Sequence, residues 1–106
     1  MKIKEGVILS GLRLEMRTAL MTAERIWKSF GQELVVTSAL DGTHAACSLH
    51  YYGFALDFRS RYFTEKEKEK VIVLLKKKLP PEFEVITHTT HIHVEYDPVN
   101  IEKWNS

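Results

Sequence analysis

The side chains best suited to catalysis in this chain are its histidines, which number five and all lie between positions 44 and 93. The segment 91–95 reads His-Ile-His-Val-Glu, in which polar and apolar residues alternate. Alternate side chains of a strand point to the same face, so His91, His93 and Glu95 are expected on one polar face. Asp57 likewise points away from the face of its apolar neighbours Leu56 and Phe58. Two neighbouring strands can therefore present Asp57, His91 and His93 on a common polar face.

Two imidazoles and one carboxylate match a catalytic zinc site, in which three protein ligands leave a fourth position open for water. His50, on the loop that enters the strand of Asp57, is a further candidate. A closed structural zinc site more often uses several cysteines, and the chain has a single one, Cys47. Zinc lowers the pKa of its bound water towards about 7 and polarises a carbonyl. A histidine that is not a ligand then takes the proton or stabilises the developing charge. This is the physical logic by which a metal-bound hydroxide hydrolyses an amide.

The same residues form two motifs that resemble a known signature. They are Ser48-x-His50-x-x-Gly53-x-Ala55-x-Asp57 and His91-x-His93. Together they are similar to the signature of the zinc D-Ala-D-Ala carboxypeptidases and L-alanyl-D-glutamate endopeptidases. That group shares a metal centre with lysostaphin-like peptidases and hedgehog N-terminal domains. The resemblance covers residues 34–97, and the compact ending is similar to short domains of bacteriophages and prophages.

The resemblance implies a function and a set of roles. The substrate would be the stem peptide of peptidoglycan, cleaved during phage or prophage cell-wall lysis. One zinc ion would be held by His50, Asp57 and His93, with His91 as the catalytic histidine that is not a ligand. On the substrate side, Ser48 would orient the motif loop. Apart from the resemblance, Tyr51 and Tyr52 are expected either to stack on substrate or to cap the sheet.

The chain departs from the family pattern in two places. Many relatives have an acidic general base a few positions before the last zinc histidine, and here Glu84 or Glu95 substitutes only if folding brings it close. Many also have an arginine upstream of the first motif, and here Arg59 is the best replacement for binding a substrate carboxylate, with Arg61 second. These departures leave two alternatives open. One is a non-catalytic zinc module in a wall-binding or virion assembly, and the other is a different zinc amidohydrolase.

The elements that must position these residues follow from apolar periodicity and from turn signals. Helical spacing predicts a helix over 12–30, with Ser10 as N-cap and Gly31 at the left-handed stop. A second helix is predicted from about 65 to 79, opened by a capping box of Thr64 and Glu67. Strands are predicted at 33–38, 53–59, 82–87 and 91–96, with a loop at 39–49 and a turn at 88–90. The order α-β-β-α-β-β predicts an α+β fold, a small and mostly antiparallel sheet packed against two main helices, with the zinc site on the sheet face.

Length and composition limit the function classes. The 106 residues form one predicted domain, 1–106, and the net charge of +1 lacks the basic excess of a nucleic-acid binder. The apolar stretch near the N-terminus is too short and interrupted for a signal peptide, and no segment approaches the roughly 20 apolar residues of a membrane span. We therefore expect synthesis in the cytoplasm and action on the wall after release, or in a virion.

Overall fold

A computed structural model describes residues 1–7, 9, 12–39 and 55–96. Two helices and five strands follow one another along these residues: β1 (Lys2–Ile3), α1 (Glu15–Ser29), β2 (Val35–Ser38), β3 (Ala55–Arg59), α2 (Glu65–Lys78), β4 (Phe83–Thr87) and β5 (His91–Tyr96). The strands form one sheet in the order β1-β2-β3-β5-β4. Every pairing is antiparallel except β1 with β2. The predicted α+β fold with two helices and a mostly antiparallel sheet is confirmed.

Helix α1 begins later than the periodicity predicted. Its N-cap is Leu14, which has no side-chain capping bond, so the prediction of Ser10 as the cap is wrong. Directly ahead of the helix, the Met16 N–H donates to the Arg13 carbonyl and the Arg17 N–H to the Leu14 carbonyl, each at 3.0 Å, so the chain enters the helix through i to i+3 bonds. At the other end, Gly31 has a φ of 76°, which is the left-handed stop that was predicted.

Helix α2 follows its sequence signals closely. The Glu67 N–H donates to the Thr64 hydroxyl at 3.1 Å, and the Thr64 N–H donates to the Glu67 carboxylate at 2.9 Å. These reciprocal bonds form the predicted capping box and fix the first residue of the helix. The helix ends at Lys78, directly before Leu79 and the two prolines.

Strand β1 was missed by the sequence analysis. It has only two residues and pairs in parallel with β2, Lys2 opposite Val35 and Ile3 opposite Val36. Two residues are too few to show the alternation of polar and apolar side chains that marks a strand. The position of β1 in the sheet is therefore decided by its pairing with β2. Strands β2, β4 and β5 lie within two residues of their predicted bounds, and β3 ends at Arg59 as predicted. The predicted start of β3 at residue 53, and the predicted loop after Ala39, lie outside the described residues.

The two faces of the sheet differ in chemistry. The face towards the helices is apolar: Leu56, Phe58, Ile92 and Val94 are fully buried with the buried residues of α1 and α2. Trp27 of α1 joins this core, and its indole N–H donates to the Arg59 carbonyl at 3.0 Å. This bond ties α1 to the end of β3. Among the described residues, neither helix is long and apolar enough to cross a membrane.

Candidate functional site

The polar face of the sheet collects the candidate residues through the register of β3 and β5. Asp57 lies directly opposite His93, Arg59 opposite His91, and Ala55 opposite Glu95. These side chains share a face because the buried residues Leu56, Phe58, Ile92 and Val94 alternate with them. The predicted grouping of Asp57, His91 and His93 on one face is therefore what the pairing produces.

His93 is at the centre of this face, between two carboxylates. Its Nδ1 lies 2.8 Å from Oδ1 of Asp57, and its Nε2 lies 2.9 Å from Oε1 of Glu95. All three side chains are largely buried, with exposed fractions of 16% for His93, 13% for Asp57 and 16% for Glu95. Hydrogen bonds to ionised groups are stronger than neutral ones, and partial burial reduces their screening by solvent.

The protonation of His93 reflects this environment. Burial alone would lower the pKa of His93, but the hydrogen bonds and negative charges of Asp57 and Glu95 outweigh it and raise that pKa to about 9 in the metal-free chain. Each ring nitrogen of His93 therefore faces a carboxylate oxygen, and a positive charge is favoured between these two groups.

His91 lies beside the trio of His93 and its two carboxylates as the first residue of β5, directly after the turn 88–90 that joins β4 to β5. Its Nε2 is 3.9 Å from Oδ2 of Asp57, and its Nδ1 is 3.3 Å from the Thr90 hydroxyl. Its ring stacks on that of His88, with centroids 4.5 Å apart and planes at 22°. The exposed fraction of the His91 side chain is 32%, twice that of His93. Nε2 of His91 thus lies at the more open side of the cluster.

Helix α2 holds the turn of His91 from outside the sheet. The Lys68 ammonium donates to the His88 carbonyl and, at 3.5 Å, to the Thr89 carbonyl. The Ser60 N–H donates to the Thr90 carbonyl at 3.0 Å from the end of β3. The turn is therefore anchored on two sides, which restricts the position of His91.

The substrate-side predictions have different outcomes. Arg59 is half-buried and opposite His91, so it shares the polar face as predicted. Its charge also acts on Tyr62, whose pKa is raised mainly by burial and lowered in part by Arg59. The predictions for Ser48, His50 and Tyr52 lie outside the described residues.

The donor chemistry of the cluster fits a divalent cation, with two of the three predicted ligands in contact. Asp57 and His93 supply a carboxylate oxygen and an imidazole nitrogen, both of which zinc accepts. Tetrahedral zinc keeps two such ligand atoms roughly 3.4 Å apart, so the pair must open slightly from the hydrogen-bonded 2.8 Å. Within residues 1–7, 9, 12–39 and 55–96, no group of three or more His, Cys, Asp or Glu side chains is arranged to hold a metal ion. His50, the third predicted ligand, is not among these residues.

The sequence predicted the face of the sheet on which Glu95 lies, but not its contact with His93. Strand alternation placed it on the face of His93, but not at hydrogen-bonding distance from the ring. Of the two carboxylates considered as substitutes for the general base, Glu95 is 2.9 Å from His93, whereas Glu84 on β4 is exposed. The two-residue spacing from His93 was the available signal, since residues i and i+2 of a strand are neighbours on one face.

Comparison of the chain with protein-family models, with curated proteins and with solved structures finds no match in any of the three.

Proposed function

We propose that this protein is a zinc-dependent peptidase that hydrolyses an amide bond in the stem peptides of peptidoglycan, of D-Ala-D-Ala carboxypeptidase or L-Ala-D-Glu endopeptidase type. The observation that carries the proposal is the convergence of His93 and His91 on the two oxygens of Asp57, at 2.8 and 3.9 Å. The two sequence motifs supply the substrate class. Phage or prophage cell-wall lysis is the setting that the motifs favour.

In this proposal His50, Asp57 and His93 hold one zinc ion. Zinc, when bound, supplies a Lewis acid that lowers the pKa of a coordinated water and polarises the scissile carbonyl. Asp57 is suited to its role because its largely buried carboxylate faces both histidines. The carboxylate groups of Asp57 and Glu95, on either side of His93, give the electrostatic attraction for the cation.

His91 acts as the proton-transfer group. Its Nδ1 is engaged by Thr90 at 3.3 Å, so its Nε2 is the nitrogen directed towards Asp57 and the open side of the cluster. From there it takes a proton from the attacking water or stabilises the charge that develops on the carbonyl oxygen. Arg59, opposite His91 in the register, binds a carboxylate of the substrate, since a guanidinium pairs with both carboxylate oxygens.

The test of the proposal combines metal content with product analysis. Purified protein is assayed for zinc per chain and incubated with peptidoglycan, and the released peptides are followed by mass spectrometry. We expect one zinc ion per chain and release of D-alanine or of a stem peptide. Bound zinc without cleavage would favour the non-catalytic wall-binding or virion module, and a chain with no affinity for zinc would rule out both.

Two histidine variants separate the proposed roles. His91→Ala should keep its zinc and lose about 10²- to 10⁴-fold in turnover, the usual contribution of a general acid or base. His93→Ala should lose zinc as well as turnover. Lys70→Ala, on the exposed surface of α2, is the control and should match the wild type in both assays. Loss of zinc in His91→Ala and its retention in His93→Ala would mean that the two roles are exchanged.

A further inference from the structure

We infer, on the premise of the proposed function, that Glu95 is a positioning residue that engages Nε2 of His93 and thereby presents Nδ1 of the same ring to the metal. Neither sequence motif includes Glu95. The inference rests on the 2.9 Å separation of Glu95 Oε1 from His93 Nε2 and on the 2.8 Å separation of Asp57 Oδ1 from His93 Nδ1.

The two nitrogens of His93 have different surroundings. On the Nδ1 side lies Asp57, whose second oxygen is 3.9 Å from Nε2 of His91. On the Nε2 side lies Glu95, opposite Ala55 in β3 and Glu84 in β4. The candidate ligand Asp57 and the candidate catalyst His91 therefore lie on the Nδ1 side, so a metal ion held by Asp57 and Nδ1 of His93 would have His91 as a neighbour.

A carboxylate on the far nitrogen of a ligating histidine has a well-defined effect. It fixes the tautomer by holding the proton on that nitrogen, orients the ring and raises the basicity of the ligating nitrogen. Removal of such a partner typically costs 10- to 100-fold in metal affinity or activity. Glu95 is suited to this role because its side chain is only 16% exposed, so its rotamer is restricted by packing.

The same geometry argues against Glu95 as the missing general base. The His93 ring lies between Glu95 and the Asp57 side of the cluster, and the Glu95 oxygen is occupied by the ring nitrogen at 2.9 Å. A general base must lie within hydrogen-bond reach of the water it activates. Glu95 therefore orients His93, and proton transfer remains with His91.

Zinc affinity of matched variants tests the inference, measured by competition with a chromophoric chelator. We expect Glu95→Gln, which keeps an acceptor oxygen without the charge, to weaken zinc binding about tenfold, and Glu95→Ala up to about 100-fold. Both should still bind one ion at saturation. The control Glu84→Gln removes a carboxylate from the exposed residue opposite Glu95 and should change affinity less than twofold. Wild-type affinity in Glu95→Ala, or an equal loss in Glu84→Gln, would overturn the inference.

A spectroscopic measurement on the unmodified chain does not depend on any variant folding. Long-range ¹H–¹⁵N spectra of the zinc-loaded wild type report which ring nitrogen of His93 carries the proton and which one binds metal. We expect a protonated Nε2 and a metal-bound Nδ1. The opposite assignment would make Glu95 a neighbour of the metal and overturn the inference.

Failure of this inference is distinguishable from failure of the proposed function. If the wild type binds no zinc, both fall. If it binds zinc and cleaves peptidoglycan while Glu95→Ala has wild-type affinity, only the role of Glu95 falls. If the wild type binds zinc but does not cleave peptidoglycan, the proposed peptidase function is wrong. A 10- to 100-fold weaker zinc affinity of Glu95→Ala would then still support the positioning role.

Discussion

The imidazole of His93 contacts a carboxylate through each of its two nitrogens, at 2.8 and 2.9 Å. In the metal-free chain this environment favours the imidazolium, which satisfies both carboxylates at once. A metal ion at Nδ1 must displace that proton, because only a neutral imidazole is a ligand. The same three side chains form a hydrogen-bonded network in the metal-free chain, and under the proposed function they would form a metal ligand with its orienting partner.

The pKa of His93 makes the stability of the metal-free chain depend on pH. That pKa is raised from 6.5 to about 9, so folding binds the proton more tightly. The stabilisation is complete below the unfolded value of 6.5 and is lost as pH rises through about 9. We expect urea unfolding in the presence of a chelator to give a lower midpoint at about pH 10 than at about pH 6. His93→Gln should reduce this difference, and an unchanged difference in that variant would contradict the assignment.

Ser60 offers a second prediction at the scale of one side chain. It is 1% exposed, and within the described part of the chain its hydroxyl has no hydrogen-bond partner. A buried unsatisfied hydroxyl costs roughly 1–3 kcal/mol, so Ser60→Ala should raise the free energy of unfolding by about 1 kcal/mol. The control Thr37→Val removes a hydroxyl that donates to the Asp57 carbonyl at 3.3 Å and should lower that free energy instead. Destabilisation by Ser60→Ala in chemical denaturation would show that its hydroxyl is satisfied.

At the scale of elements, α2 determines where the turn between β4 and β5 lies. Its capping box fixes the start of the helix, so Lys68 in the first turn reaches the carbonyls of His88 and Thr89. The turn carries His91 at its exit, where the His88 N–H donates to the His91 carbonyl at 2.9 Å. The helix thus supports, from outside the sheet, the turn that precedes the candidate catalytic histidine.

Removal of this support should loosen the turn. Lys68→Met removes the charged donor of an exposed hydrogen bond. We expect this to lower the free energy of opening the turn by about 1 kcal/mol, which makes the open form roughly fivefold more populated. We expect the amide hydrogen of His88 to exchange about fivefold faster in NMR-detected hydrogen exchange. The control Lys66→Met, at an exposed position of the same helix, should leave this rate unchanged. Equal rates in the two variants would show that the ammonium does not hold the turn.

At the scale of the whole molecule, the cluster joins the central strands of the sheet. Asp57 and His93 are 36 residues apart in sequence and directly opposite in β3 and β5, beneath which Trp27, Phe58 and Ile92 form the core. A metal ion held by both residues would stabilise this central pairing, because it binds the folded chain and not the separated strands.

Zinc should therefore raise the melting temperature of the whole domain. At a free zinc concentration 100 times the dissociation constant, the gain is about 2.7 kcal/mol, or roughly 10 °C or more for a domain of this size. Differential scanning calorimetry with and without zinc measures the shift. Asp57→Asn should show little of it, and a shift of wild-type size in that variant would place the metal elsewhere.

Much of the fold was determined by the sequence alone. Local signals suffice where neighbouring residues fix the backbone: the capping box of Thr64 and Glu67, the left-handed Gly31, and the alternation that separates the polar and apolar faces of β3 and β5. The same alternation placed Asp57, His91 and His93 on one face. These features depend on residues two to four positions apart, so they are readable without tertiary structure.

Only the tertiary structure decided the contacts within that face. The register of β3 against β5 brings Asp57 opposite His93, and a shift by one residue would send one of them to the core. The engagement of Glu95, the Lys68 anchor on the turn and the pairing of β1 all join side chains or strands whose contact depends on packing. The sequence therefore determined which residues have the chemistry for a metal site. The pairing of the strands decided which nitrogen of His93 faces which carboxylate, because those distances are set by the register and packing of the whole sheet.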